Sequence, residues 1–530
     1  MAEFDIVIHG GRVIDGSGNP WFYGDVGIKD GKVAAIGKIN PEAGARSISA
    51  KGYVVTPGYI DMHTHSDQPV VNDGNAESKV RQGVTLDIIG ESQTVAPLEG
   101  PILEEYRAEH RKRNGIETDW KTFTGYFNTV MRGGVSINIA SGVSPQQVKR
   151  VVCGFDERPA SAAEQEKMNR LVAQAMEEGA LGLTAAWHAK GPENPGEVVE
   201  MAKVAKRYGG YYGVHVGSEG FDIFEELAKM LRVAREAAIP VHVYHLKMRA
   251  KANWGRIRQV IAQLEEARHE GLDITANQYP YTAMQHPWRR LFPRWVQDAP
   301  VNETIAKFKN PDFRERVMKD PEFTQYVDEH GGWEGIVAAR LDTEPLKKFE
   351  GMRIAEIAKI REQDPASTCF DLIFEEGVFI HGVHHTMNED DVKSVMRVPW
   401  VSIGSDGSAL NQKFPGKPHP RSFGTNPRVL GKYTREEKVL TLEDAVRKMT
   451  SMPAQVLGLK DRGLLREGFW GDVVVLDPDR VADMATYENP KQYPKGIDYV
   501  LVNGEVVIDN GQHSGARPGK IVYGPGYKTN

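Results

Sequence analysis

Two histidines stand one residue apart where an apolar run ends, in GYIDMHTHSD at residues 58–67. If that run is a strand, its side chains alternate faces, so His63 and His65 point one way while Met62 and Thr64 point the other. Two imidazoles on one face can grip one metal ion, although an isolated H-x-H is equally at home in a loop where its rings pack or cap. The chemistry therefore depends on further ligands at other strand ends. Glu91 follows VTLDIIG, His215 lies near the end of YYGVHV, His245 near the end of PVHVYHLK, and Asp406 ends WVSIGSD. Imidazole and carboxylate donors with a position left open suit a catalytic centre of one or two zinc ions, and other divalent metals also accept this donor set.

Such a cluster needs strands whose ends meet. Through the middle of the chain, apolar runs alternate with helical patterns, which indicates a parallel α/β architecture. The runs 59–65, 84–90, 135–140, 181–186, 211–216, 240–247, 273–279 and 400–406 predict a (β/α)8 TIM-like barrel, whose strand ends gather at one mouth. A ninth run, VFIHGV at 378–383, is assigned to the long excursion between the seventh and eighth strands. That stretch, about 284–395, holds helical segments such as PDFRERVMKD and FTQYVDEHGGWEGIV, so it is expected to be an inserted lid subdomain over the active site. Residues 1–57 and 465–530 are β-rich, with Asp30-Gly31 and Asn503-Gly504 as hairpin turns. They predict one β sandwich built from both termini beside a barrel spanning 58–464.

The chain has 16 histidines, and most must do something else. His242 lies three residues before His245, faces the other way, and is expected to be a hydrogen-bonded structural residue. His384 and His385 fall in the excursion and are expected at the surface, while His188, after the fourth run, is placed at the pocket border. A net charge of −6 over 530 residues gives no basic footprint for nucleic acid or a membrane surface, so the partner is a small molecule. Two cysteines, Cys153 and Cys369, exclude a disulfide framework and fit a reducing compartment. MAEFDIVIHGG lacks a basic leader, and no long apolar run follows, so a cytoplasmic, soluble protein is expected, with homo-oligomerisation left open.

Taken with KVRQGVTLDIIGES, EGALGLT, YYGVHVGSE, VYHLKMRAKANWG, NQYPYTA, VPWVSIGSDG and PHPRSFGTNPRVLGKY, the opening motif resembles the D-aminoacylases (N-acyl-D-amino-acid deacylases) of the amidohydrolase superfamily, and the resemblance runs nearly end to end. It implies a zinc-bearing barrel with an urease-like β sandwich. It makes His215 and His245 ligands of a tightly held zinc, and His63 with His65 ligands of a second position. Asp406 becomes the catalytic base, accepting a proton as a metal-bound hydroxide attacks the amide and returning it to the departing amine. The family commonly has a cysteine in G-N-C-G after the second strand; here Gly90-Glu91-Ser92-Gln93 stands there, so Glu91 is inferred to substitute and to bridge two ions. Lys247, Tyr279 and Arg421 become binders of a substrate carboxylate.

Two departures stand out. Val216-Gly217 follows His215 where the family has an arginine two past the histidine, and Asn277 replaces an aspartate before Y-P-Y. The implied activity is zinc-dependent deacylation of a linear amide, an N-acyl-D-amino acid, with a cyclic amide or a different N-acyl compound as the alternative. A non-catalytic scaffold has no chemical need for the retained histidines and Asp406.

Overall fold

The computed structural model describes residues 2–92, 94–115, 117–155, 158–187 and 194–529; His188 lies outside the described residues. Eight parallel strands form its centre: Tyr59–Asp61, Val84–Ile89, Asn138–Ser141, Gly182–Ala186, Tyr211–His215, Val241–Val243, Ile274–Gln278 and Val401–Ile403. They make a three-stranded and a five-stranded sheet. Parallel bridges Val143 to Leu183 and Thr64 to Gly407 join the two, so the pairing runs from the first strand to the eighth and returns to the first. Apart from half-buried Thr275, every residue of these strands is buried, as strands covered on both faces must be.

The third and fourth strands touch through a single bridge because the end of the chain lies between them. Pro518 and Ile521 bridge to Val135 and Ile139, and the Gly524 amide donates to the Gly179 carbonyl. This carboxyl-terminal strap closes the ladder where the two strands diverge, leaving fewer backbone groups without partners.

Both termini also contribute to one nine-stranded sheet. Val54–Pro57 pairs with Phe4–Val13 on one side and with Val473–Leu476 on the other, so the two chain ends meet at that strand. The Asp30-Gly31 and Asn503-Gly504 turns have φ of +51° with +78° and +51° with +81°. Two positive φ values in a two-residue hairpin are the type I′ signature that Asp-Gly and Asn-Gly satisfy at least cost.

Between the seventh and eighth strands, Ala283–Pro287, Ile336–Ala338 and His381–His385 form a small antiparallel sheet, with His381–His385 in the middle. Helices Pro311–Lys319, Pro321–Glu329 and Pro365–Glu376 accompany it. Trp288, Phe292, Phe308, Phe323 and Phe370 build an apolar core separate from that of the ring. His384, expected at the surface, is buried: it sits on the central strand, and its Nε2 lies 3.2 Å from the His286 carbonyl oxygen. His385 is half-buried. No helix among the described residues is long and apolar enough to cross a membrane, and both cysteines are free and buried.

The Phe370 ring lies 5.3 Å from Phe308 and 5.8 Å from both Phe292 and Phe323. Phe370→Ala is expected to cost about 3–5 kcal/mol in the insertion's unfolding transition, measured by denaturant titration, because the three surrounding rings cannot close over the lost one. A loss below about 1 kcal/mol contradicts a tightly packed separate core.

Candidate metal centre

The residues that the sequence places at strand ends come together at one mouth. His63 Nε2 lies 2.9 Å from Glu91 Oε2, and His65 Nε2 lies 3.4 Å from the same oxygen and 3.0 Å from Asp406 Oδ1. Across the mouth, His215 Nδ1 lies 2.8 Å from Glu91 Oε1 and 3.2 Å from His245 Nε2. Glu91 therefore presents one oxygen to each histidine pair. Burial works against its charge, but His215 and His63 outweigh that and hold its carboxyl well below the usual range.

Four donor atoms of His63, His65, Glu91 and Asp406 lie within 4.8 Å of one another, and His215, Glu219 and His245 offer a second set. A donor set of imidazoles and carboxylates at this spacing, with a carboxylate between the sets, fits one or two zinc ions.

One member was not anticipated. Glu219 Oε1 lies 2.9 Å from His245 Nδ1 and 4.0 Å from His215 Nε2, which are the nitrogens turned away from Glu91. Accepting from the far nitrogen of His245 fixes its tautomer and leaves Nε2 free to ligate. Lys247 Nζ also stands 2.8 Å from that Nδ1, but it has acceptors of its own in Glu219 Oε1 at 2.5 Å and the His245 carbonyl at 3.2 Å. The only trace of Glu219 in the sequence is its place four residues after His215 in YYGVHVGSE.

The three carboxylate-binding candidates also converge here. Two cations lie over the Tyr279 ring, with Lys247 Nζ 5.3 Å and the Arg421 guanidinium 5.1 Å from its centre. Its buried hydroxyl has no hydrogen-bond partner among the described residues. Arg421 Nη1 is 2.6 Å from Asp406 Oδ2. Burial pushes the Asp406 carboxyl up, but Arg421, then His63, His65 and His245, outweigh it and keep it well below the ordinary carboxylate range.

A family model described as Amidohydrolase family matches residues 46–508. The N-acyl-D-glutamate deacylase of Alcaligenes xylosoxydans xylosoxydans is 32% identical over 98% of this chain and 96% of its own, and the D-aminoacylase of the same organism is 29% identical over 98% and 97%. The chain belongs to the amidohydrolase family, among its D-aminoacylase members. The solved N-acyl-D-glutamate deacylase of Bordetella bronchiseptica, complexed with zinc and a phosphonate mimic of the tetrahedral intermediate, superposes with a TM-score of 0.82 at 28% identity, covering 98% of this chain and 100% of that one. A D-aminoacylase structure described for its binuclear metal centre gives 0.80 at 28% identity, covering 98% and 99%.

The departures from the D-aminoacylase pattern have local explanations. Asn277 is fully buried and its side chain is engaged within the ring. Its Oδ1 accepts from the His245 amide at 2.7 Å, and its Nδ2 donates to His242 Nε2 at 3.0 Å. His242 in turn meets Thr275 Oγ1 at 2.8 Å, and burial lowers its pKa to about 3, so it is a neutral, hydrogen-bonded structural histidine. It does not face away from the ligands as alternation predicts, because the strand ends at Val243, and it lies 5.9 Å from the Tyr244 ring that stacks on His63. An aspartate at 277 could still accept from the His245 amide but has no hydrogen for His242.

Gly217, where an arginine was expected, lines a cleft that opens from His215, and Arg249, Arg290 and Arg294 line the same cleft. Burial, then Arg294, Arg249 and Arg289, push the Arg290 guanidinium down to about 10. His286 enters from the insertion, its ring 6.5 Å from that of His215.

Glu219→Gln keeps the size of the side chain but loses the charge held against His245. We expect zinc affinity to fall about 10–100-fold, measured by chelator competition, with the fold intact by circular dichroism. Unchanged affinity would mean that the His245 tautomer is set elsewhere.

Proposed function

We propose that this amidohydrolase is a zinc-dependent deacylase of N-acyl-D-amino acids, acting on a substrate whose side chain is acidic. The observation that carries the proposal is Glu91 set between two histidine pairs, with Asp406 beside one of them. We further propose that the ring is a (β/α)8 barrel over 58–464, that the insertion of about 284–395 covers its mouth as a lid, and that residues 1–57 and 465–530 form an urease-like sandwich.

His63, His65, Glu91, His215, His245 and Asp406 would hold the ions. A bound divalent cation supplies an ionised water at neutral pH and a Lewis acid for the scissile carbonyl. The chain's own groups do the rest. Asp406 is anionic, its Oδ2 is engaged by Arg421, and its Oδ1 takes the proton from water and returns it to the departing amine nitrogen. Tyr279 has a hydroxyl to give, and Arg421 has further N–H groups beyond the one on Asp406, so together with Lys247 they hold the α-carboxylate.

The acidic side chain is supported by the cleft. Arg249, Arg290 and Arg294 line it together with Glu219, Asp222 and Glu226, and a planar guanidinium can hold a side-chain carboxylate in a two-pronged contact. The name of one relative agrees, the N-acyl-D-glutamate deacylase of Alcaligenes xylosoxydans xylosoxydans.

Zinc content and hydrolysis of paired N-acetyl-D- and L-amino acids test the reading. Wild type is expected to hydrolyse N-acetyl-D-glutamate over its L form, and Asp406→Asn to lose about 10²–10⁴ in kcat. A protein equally active after chelation, or an unaffected Asp406→Asn, would sink it. Arg290→Met should raise KM for N-acetyl-D-glutamate about 10–100-fold, the worth of a charged hydrogen bond, while N-acetyl-D-leucine is little affected. Equal effects on both substrates would remove Arg290 from side-chain recognition.

A further inference from the structure

Three buried ionisable side chains lie next to the centre and take no part in the chemistry above. Lys79, on the short helix Glu77–Val80, has no exposed surface; Asp61 on the first strand and Asp87, its register partner on the second, are buried with it. Lys79 Nζ donates to Asp61 Oδ2 at 2.8 Å and to Ser405 Oγ at 2.7 Å, and stands 3.9 Å from Asp87 Oδ1. Removing a lysine so completely from water is costly, so its partners need accounting for.

Both hydrogen-bond partners lead to the same place. Asp61 uses its other oxygen, Oδ1, to accept from the Ser405 amide at 2.8 Å, and Ser405 Oγ also accepts from the Gly407 amide at 2.9 Å. Asp406, enclosed by these two bonds, has a φ of +50°, a left-handed conformation that a residue with a Cβ seldom adopts. Its own amide donates to the His63 carbonyl at 2.8 Å, and the His65 amide donates to the Gly407 carbonyl at 2.8 Å. A backbone held away from its preferred region stays there only when its surroundings fix it from several sides. Lys79 orients the carboxylate and the hydroxyl that do so on either side of Asp406.

We propose that Lys79, acting through Asp61 and Ser405, is a positioning residue that sets the backbone of Asp406 and with it the angle at which the Asp406 carboxylate meets the scissile amide. It touches neither substrate nor reacting atoms. The kinetic part rests on the deacylase reading above; the geometric part does not. A merely structural ion pair would also tie the first strand to the eighth, but it would have no reason to end on the two groups that flank one strained residue.

The test uses the full-length zinc-loaded protein and three variants: Ser405→Ala, which keeps the ion pair, Lys79→Met, and Lys79→Arg. For the N-acetyl-D-amino acid that wild type hydrolyses fastest, kcat is expected to fall about tenfold in Ser405→Ala and about a hundredfold in Lys79→Met, with KM and zinc content near wild type and partial recovery in Lys79→Arg. Crystal structures of Ser405→Ala and Lys79→Met should show Asp406 leaving the left-handed region. Variants that lose thermal stability while kcat per folded molecule stays near wild type overturn the proposal and make Lys79 structural, as does a change confined to KM. Asp406 keeping its φ in both variants overturns it whatever the activity. A wild type that hydrolyses no N-acyl amino acid overturns the deacylase reading instead, and the crystallographic result still decides the role of Lys79.

Discussion

One carboxylate has to satisfy two sets of imidazoles at once, and the rest of the centre is arranged around that requirement. Glu91 is 6% exposed, and a carboxylate so far from water costs several kcal/mol unless its oxygens are met. Oε1 is met by His215 from the fifth strand, and Oε2 by His63 beyond the first. A cysteine in this place offers one sulfur atom, which both sides must share. A carboxylate offers two atoms, so each side has a donor of its own, and the ends of three strands are tied into one geometry.

Reaching that geometry strains the backbone. Ser92, His245 and Asp406 all have positive φ, at +67°, +36° and +50°, and each lies where a strand has just given way to a loop. The sixth and eighth strands stop pairing at Val243 and Ile403, two and three residues before the side chain that matters. Ending the ladder early frees the chain to turn, at a cost of order 1–3 kcal/mol for each left-handed residue. Asn277 beneath His245 and Asp61 beside Asp406 supply acceptors for the turned backbone, which is why buried polar side chains crowd the layer around the ligands.

How far the sequence speaks for itself follows from the same physics. Strand alternation and the rule that barrel ligands lie at strand ends lead to His63, His65, Glu91, His215, His245 and Asp406, and the structure gathers these six. The Asp-Gly and Asn-Gly turns were legible because a type I′ hairpin demands them. Glu219 was not, because a carboxylate four residues past a histidine in a loop has no periodicity to mark it. Asn277 stood out only as a departure before Y-P-Y, and three-dimensional pairing is needed to see that it matches His242 in hydrogen-bonding. The burial of His384 and the placement of His286 and Arg290 were beyond reach for another reason: they depend on how the insertion folds, and nothing in the ring dictates that.

That independence has a limit at the seam between insertion and ring. The insertion has its own aromatic core, so most of its residues can change without disturbing the ligands. At the seam, however, Arg249 from the ring side lies 2.8 Å from Glu329 of the insertion, which is 1% exposed. Thr386 Oγ1 accepts from the Ala250 amide and donates to the Glu329 carbonyl. Breaking a buried ion pair by separating its partners costs about 3–5 kcal/mol, more than a lid that opens in every turnover can readily spend. The cleft beside His215 is already open to solvent and lined by arginines from both sides of the seam. On the reading proposed above, a substrate that enters through this cleft leaves the seam closed, and the insertion covers the mouth as a fixed cap.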